Sequence, residues 1–232
     1  MSAASQPAAP PPAATGIGLP PEALARIADA VTAAEARTSA EIKVVVSAAP
    51  LVRHRFFSIL WAALAALVVP WGLVVGWMLA RAAGLIAAGP LSALDALAVQ
   101  AVLFVALAAL LMLPAIAGRV IPHPAREAAG RTMAIELFHA HGIPQTTGRT
   151  GILIFVAAHD GLVEVVADAA VDAALGREAW SSICAAILAH AADDRLADGL
   201  VEGTRLAGTL LADALPAGPD DTNELDDRVI VL

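Results

Sequence analysis

Two long stretches without charge limit what this chain can fold into more than any other feature of the sequence. Residues 56–80 carry no charged side chain over about 25 positions, so a helix there reaches roughly 37 Å and crosses a hydrocarbon layer of about 30 Å with some tilt. Residues 91–113 form a second apolar stretch, which opens with Ser92 and Asp95 in the spacing of a helix-capping box. The sequence therefore predicts a transmembrane hairpin of two helices, in which Asp95 either caps the second helix or acts as a functional carboxylate.

Basic residues are distributed unevenly around the predicted hairpin, with one between the two helices and the others outside them. Positive charge favours the cytoplasmic side of a membrane. We therefore expect a multi-pass protein of the bacterial inner (plasma) membrane with both termini in the cytoplasm and membrane lipid as one partner. The residues concerned are Lys43, Arg53 and Arg55 before the hairpin, Arg81 within it, and Arg119, Arg126 and Arg131 after it.

The remaining segments follow the order of an α/β domain. Short runs rich in Val and Ile indicate strands that are covered on both faces, and longer segments with helical periodicity alternate with them. A strand, a helix and a further strand in this order predict a parallel crossover, and the turn residues at 159–161 predict an antiparallel hairpin after it. Strands are predicted at residues 42–46, 152–158 and 162–167, and helices at 20–37, 126–141, 177–191 and 198–214.

These segments together predict the fold class. It is an α/β fold, a three-layer α/β/α sandwich with a mixed sheet, interrupted by the two-helix transmembrane hairpin. The predicted organisation is a disordered Ala/Pro-rich tail at 1–18, the first part of the domain at 19–50, transmembrane helices at 56–80 and 91–113, the second part of the domain at 122–215, and a C-terminal tail at 216–232.

Composition excludes several functional classes. The net charge is −8, so nucleic acid is not an expected partner. The single cysteine, Cys184, excludes a disulfide framework and a metal site built from several thiolates. No phosphate-binding glycine loop or nucleophile motif occurs, and the sequence gives no positive case for catalysis.

Several motifs give the chain a resemblance to the TPM domain family. They are SAEIKVVV at 39–46, ELF at 136–138 ahead of HGI at 141–143, TGRTGILIFVA at 147–157 and DGL at 198–200. The chain looks most like a bacterial branch that carries a membrane hairpin inside the domain and ends in the motif Asn223-Glu224-Leu225. The resemblance spans residues 19–215 without the hairpin, and such motifs specify a fold better than a function.

The resemblance implies two functional alternatives. Family members have been proposed as acid phosphatases and as binders of divalent cations, with acidic residues at loop ends as ligands. The chain departs from the family where many members carry an acidic residue before the second strand, because it has Thr150 there. A cation such as Ca²⁺ or Mg²⁺ is the cofactor that this resemblance implies, and Ca²⁺ takes six to eight oxygen ligands. The candidate metal ligands are Asp168, Asp193, Asp194 and Asp198.

A purely structural role for these carboxylates remains open. Asp193 and Asp194 then lie in a solvated loop, and Asp198 caps the last helix. Asp168 is the strongest candidate of the four, because ligands in α/β proteins bind at strand ends. The leading hypothesis is a membrane-anchored, non-catalytic module that acts as an accessory or assembly factor for another membrane protein. The alternative is a divalent-metal-dependent phosphatase that uses Asp168 with the later acidic loop.

Overall fold

The computed structural model describes residues 19–84, 93–113, 116, 119–146, 148–176, 178–218 and 223–232. Its helices are α1 (Pro21–Glu35), α2 (His54–Ala82), α3 (Ala93–Leu111), α4 (His123–Ala140), α5 (Ala169–Leu175), α6 (Glu178–Ala191) and α7 (Leu196–Ala214), and a short 3₁₀ helix covers Ile143–Gln145. Its strands are β1 (Ile42–Ser47), β2 (Ile152–Ala157), β3 (Leu162–Ala167) and β4 (Ile230–Val231). The chain divides into two compact units, one of residues up to 51 and from 126 onward and one of residues 52–125.

The four described strands form one mixed sheet in the order β3-β2-β1-β4. β1 and β2 are parallel and pair over six residues, from Ile42 opposite Ile152 to Ser47 opposite Ala157. β2 and β3 are antiparallel and also pair over six residues, whereas β4 pairs parallel to β1 over two. β1 and β2 are buried along their whole length because both faces of the sheet are covered.

Alternate side chains of the central strands enter two separate hydrophobic cores. On one face, Val44 and Ile154 pack in a core that also holds Ile27 of α1, Ile187 of α6 and Leu200 of α7. On the other face, the smaller core includes Val45, Leu153 and Phe155 of the sheet with Ala134 and Phe138 of α4. The period of two along each strand places successive residues in different cores, and the result is a helix–sheet–helix arrangement.

The second unit contains α2 and α3, which pack against each other. The Ser58 hydroxyl near the start of α2 donates a hydrogen bond of 2.9 Å to the carbonyl of Leu111 at the end of α3, so the two helices run antiparallel. Trp61 Nε1 donates to the Val120 carbonyl at 2.9 Å, which joins the start of α2 to the segment before α4. One described helix, Arg55–Ala82, is long and apolar enough to cross a membrane, with a mean hydropathy of 2.2, and the apolar part of α3, Leu97–Leu111, is shorter.

The predicted α/β fold with a mixed sheet is confirmed, and so are the parallel pairing of β1 with β2 and the antiparallel pairing of β2 with β3. Three described elements were missed: the 3₁₀ helix, α5 and β4. The predicted N-cap role of Asp198 is wrong, because α7 begins two residues earlier, at Leu196. Ser92, the hydroxyl of the predicted capping box, and the predicted tail at 1–18 lie outside the described residues.

Candidate functional site

Asp168 is a buried carboxylate at the end of β3. It is the N-cap of α5, and its Oδ1 accepts a hydrogen bond of 2.7 Å from the Ala169 backbone N–H. Only 6% of the side chain is exposed, and Oδ2 has no hydrogen-bond partner. Arg149, whose φ is 51°, places Nε 3.8 Å from that oxygen. The carboxylate of Asp168 therefore caps α5 and also faces the guanidinium group of Arg149 at longer range.

The other three candidate ligands lie around the start of α7. Asp193 is exposed and receives a long contact of 3.4 Å from Arg195, while Asp194 has a φ of 57° in the turn between α6 and α7. Asp198 lies in the first turn of α7 and accepts a hydrogen bond of 2.7 Å from Arg26 of α1. That hydrogen bond lowers the pKa of Asp198. Each carboxylate thus has an ordinary role in a solvated turn or an exposed ion pair.

Sheet topology separates Asp168 from this later acidic loop. The backbone N–H of Asp168 bonds to the Gly151 carbonyl, at the edge where β1 and β2 begin. Asp194 lines a cavity of about 430 Å³ together with Ala48 and Ala158, at the edge where β1 and β2 end. The two sites are a full strand apart, which is on the order of 17 Å for six residues. Asp168 does lie at a strand end, but that strand is antiparallel, so it is not at the carboxyl edge where ligands bind in parallel sheets.

The described residues do not supply the ligand set that a divalent cation needs. Among them, no group of three or more His, Cys, Asp or Glu side chains is placed to hold a metal ion. A lone buried carboxylate facing an arginine offers Ca²⁺ or Mg²⁺ too few oxygens. The four candidate ligands therefore remain a prediction from the sequence.

The described residues form a different polar site beside the start of β1. A cleft of about 310 Å³ lies between the end of α1, the residues before β1 and the segment that follows α7. Glu35 is half-buried in this cleft, where its Oε1 accepts a hydrogen bond of 2.7 Å from the Ile42 backbone N–H. Burial raises the pKa of Glu35 from 4.5 to about 8, and Asp227 and Glu41 add to this through their negative charge. Glu35 is thus protonated at neutral pH.

Residues 223–232, which we call the C-terminal strap, close one side of this cleft. Asn223 Nδ2 donates to Glu35 Oε2 at 3.2 Å and to Asp227 Oδ1 at 2.7 Å. The buried carboxylate of Glu41 accepts from the backbone N–H groups of Glu224 and Leu225, both at 3.1 Å. The strap is therefore bound through a carboxyl cluster at its start and through strand pairing at its end.

Two further contacts complete the attachment. The Thr32 hydroxyl donates to Asp227, and the Lys43 ammonium donates to the backbone carbonyl of Asp226. Lys43 lies in β1 and is buried, so desolvation lowers its pKa. A charge buried in a sheet is stable only when it is paired or hydrogen-bonded, and here the partner is supplied by the strap.

This polar site was not predicted from the sequence. Residues 216–232 were predicted to form a C-terminal tail. The available signal was the charged pair Glu41 and Lys43 at the start of an otherwise apolar strand, together with the Asn223-Glu224-Leu225 motif. A lysine in a buried strand requires a partner from another segment, and that requirement indicates a long-range contact.

Comparison with known proteins relates part of this chain to a family. Residues 118–210 match the family model described as the TPM domain. The chain contains a TPM domain. Its structure is also similar to the NMR structure of the BA42 protein from the psychrophilic bacterium Bizionia argentinensis, with 18% identity, a TM-score of 0.53, and coverage of 91% of this chain and 93% of that chain. At this identity the likeness shows the fold alone. A comparison with the curated proteins found no match.

The TPM match and the described polar sites overlap only in part. The matched region includes α4, the β2–β3 hairpin, α5 and α6, and it therefore contains Asp168 and the acidic turn before α7. Glu35, Glu41 and the C-terminal strap lie outside it. The cleft beside β1 is thus a feature of this chain that the TPM family match does not describe.

A stability test separates the capping role of Asp168 from its charge. We expect Asp168→Ala to lower the free energy of unfolding of the TPM domain by about 0.5–2 kcal/mol, because the first turn of α5 loses its cap. Asp168→Asn retains most of this stability, since Asn is an equally good N-cap. Asp193→Ala, the matched control on an exposed turn, changes it by less than about 0.5 kcal/mol. Denaturant unfolding in detergent measures all three, and equal losses for the two alanine variants would contradict the assignment.

Glu35 predicts a pH dependence of stability with a defined sign. Its pKa is about 8 in the folded protein and near 4.5 when unfolded, so the folded state binds the extra proton between these values. The stability contributed by Glu35 is therefore complete below about pH 4.5 and is lost as the pH rises towards 8.

We expect Glu35→Gln to remove this loss, because the amide stays neutral throughout. Glu22→Gln, on the exposed first turn of the same helix, should retain the wild-type pH dependence. Thermal unfolding followed by circular dichroism between pH 5.5 and 8 provides the measurement. The assignment fails when Glu35→Gln and wild type show the same slope.

Proposed function

We propose that this chain is a membrane-anchored, non-catalytic TPM module that acts as an accessory or assembly factor for another membrane protein. The observation that carries the anchor is α2, in which only 12% of the most apolar window is buried. The core helix of a water-soluble protein buries its apolar side chains, whereas Leu67, Val68 and Trp71 are between 54% and 67% exposed. Side chains of this kind are stable in lipid and costly in water.

The position of α2 in the chain supports the same proposal. α2 follows β1, a central strand of the sheet, and β1 pairs with a strand made after α3. A cleaved leader precedes the folded domain, so this order favours a permanent anchor over a signal sequence. The proposed membrane segments are α2 and α3, inserted between the two parts of the TPM domain. Membrane lipid is therefore one proposed partner.

A protein-binding role is supported by what the described polar residues do. Asp168 caps a helix, Asp198 forms an ion pair, and the cleft carboxylates bind the chain's own C-terminal strap. These are structural contacts, and no observation on the described residues favours the phosphatase alternative. A TPM module with its polar side chains committed to its own fold is suited to binding through surfaces and edges.

Membrane retention tests the anchor. We expect the protein to stay in the membrane pellet after alkaline carbonate extraction. The double variant Leu67→Arg with Val68→Arg should be lost from the pellet, because an arginine near the centre of a spanning helix costs about 2.5–3.5 kcal/mol. The matched variant Leu67→Val with Val68→Leu exchanges one apolar side chain for another and should be retained. Release of the wild-type protein by carbonate would refute the anchor.

A second experiment tests the proposed orientation, in which both termini face the cytoplasm of the inner membrane. A reporter enzyme that is active only outside the cytoplasm should be active when placed at residues 84–90 and silent when fused after Leu232. Basic residues on either side of α2 and α3 give this expectation. The opposite pattern would place the TPM domain outside the cytoplasm, and activity at both positions would exclude two spanning helices.

A further inference from the structure

β1 is held very differently along its two edges. On one edge, all six of its residues pair with β2. On the other edge, the C-terminal strap pairs only at Val45 opposite Ile230 and Val46 opposite Val231. Leu232 adds two backbone hydrogen bonds. Its N–H donates to the Val46 carbonyl at 2.9 Å, and the Leu232 carbonyl accepts from the Ala48 N–H at 3.0 Å. β1 is thus paired with a long strand, β2, on one edge and with a short strand, β4, on the other.

The rest of the strap is attached near the protein surface. Asp226 and Arg228 pair with each other inside the strap, and their side chains are 49% and 84% exposed. Ile230 and Val231 are half-buried, and 46% of the Leu232 side chain is exposed. Segments with few buried apolar contacts and exposed polar ones open locally with little free energy. The apolar side chains that the strap places against the two cores, Leu225, Val229 and Ile230, are only partly buried, so the strap is held mainly by polar and backbone contacts.

We propose that the strap is an exchangeable edge strand, and that the edge of β1 beneath it is a docking site for an extended segment of a partner protein. The incoming segment pairs parallel to β1 after the strap has left, which is recognition by strand addition. An uncovered strand edge presents unpaired backbone N–H and C=O groups and accepts another chain readily. The inference deepens the proposed function, on which it rests for the statement that the partner is a protein.

The bound strap shows what chemistry the edge recognises. Glu41 accepts from two consecutive backbone N–H groups, and Lys43 donates to the carbonyl of the residue that follows them. Four residues beyond that carbonyl, Ile230 packs at the margin of the smaller core. A partner segment therefore needs two free N–H groups, a carbonyl, and an apolar residue at the position of Ile230. Proline is excluded at the position of Leu232, because it lacks the N–H that donates to the Val46 carbonyl.

The carboxyl cluster at the start of the strap makes the exchange sensitive to pH. Glu35 is protonated while the strap is bound, and its ionisation above about pH 8 places a third negative charge beside Asp227 and Glu41. Repulsion among them then favours release of the strap. The charged and titratable groups that face this cluster are Glu35 of α1, Glu41 and Lys43 at the start of β1, and Asp226, Asp227 and Arg228 of the strap.

The test uses the full-length protein in detergent micelles and a fluorescent peptide with the sequence of residues 223–232. The strap is an intramolecular competitor, so weakening it should tighten binding of the peptide. We expect Asn223→Ala with Ile230→Ala in the protein to bind the peptide at least tenfold more tightly than wild type. Raising the pH through about 8 weakens the strap and the unmodified peptide alike because both carry Asp227, so wild type should gain uptake only of a peptide with Asp227→Asn. A peptide carrying Leu232→Pro should bind at least tenfold more weakly.

A reversible lock provides the second variant. Val46→Cys with Val231→Cys, combined with Cys184→Ser, joins the strap to β1 when oxidised because residues 46 and 231 are directly paired. The oxidised protein should exclude the peptide, and reduction should restore its uptake. The inference is refuted by absence of saturable uptake in the weakened variant, by equal uptake of a scrambled peptide, or by uptake in the oxidised protein.

These outcomes are separate from those that test the anchor. Failure of peptide exchange in a protein that resists carbonate extraction refutes the exchangeable strap and leaves the membrane module intact. Carbonate release of a protein that exchanges the peptide refutes the anchor and leaves the docking edge intact. Near-UV circular dichroism of the weakened variant is the control that tests whether its sheet and cores are folded. The reduced lock variant tests the same peptide uptake in a protein whose strap is not weakened.

Discussion

The parallel pairing of β1 with β2 is the interaction on which the rest of the structure depends. It joins residues that are about a hundred positions apart in the chain, with α2 and α3 between them. Both hydrophobic cores are built on side chains of these two strands, one core on each face. Without this pairing, α1 and the helices after β3 have no common surface to cover. The segments before α2 and after α3 therefore form one domain only because β1 and β2 pair.

Most of the fold could be predicted because its strongest signals are local. A continuous apolar run such as residues 152–157 is typical of a strand covered on both faces, and the His159-Asp160-Gly161 turn fixes the antiparallel partner that follows it. β4 was missed because two residues give no periodicity, and its strand character depends on the edge of β1. α5 was missed because seven residues, mostly alanine, form a helix only when capped, here by Asp168.

The candidate site was less predictable because it depends on contacts between distant segments. Asp168 was identified as the notable acidic residue, and it is indeed the buried one among the four candidates. Its relation to Asp194 depends on which edge of the sheet each reaches, and a motif does not contain that information. The cluster of Glu35, Glu41 and Asp227 joins the start and the end of the chain. Single-sequence reasoning detects each carboxylate as an ordinary polar residue, and only their proximity makes them unusual.

The separation of β1 from β2 also sets the order of events during synthesis. At about 5–20 residues per second, a ribosome needs several seconds to extend the chain from the end of β1 to the end of β2. The hydrogen bond between Ser58 and Leu111 lies within the intervening segment and can form first. It shortens the loop that must close, but loop entropy changes slowly with length, so the gain is only about 0.6 kcal/mol for each halving. During this interval the nascent chain exposes Val44, Val45 and Val46 with both strand edges unpaired, and it must be shielded from aggregation until β2 emerges.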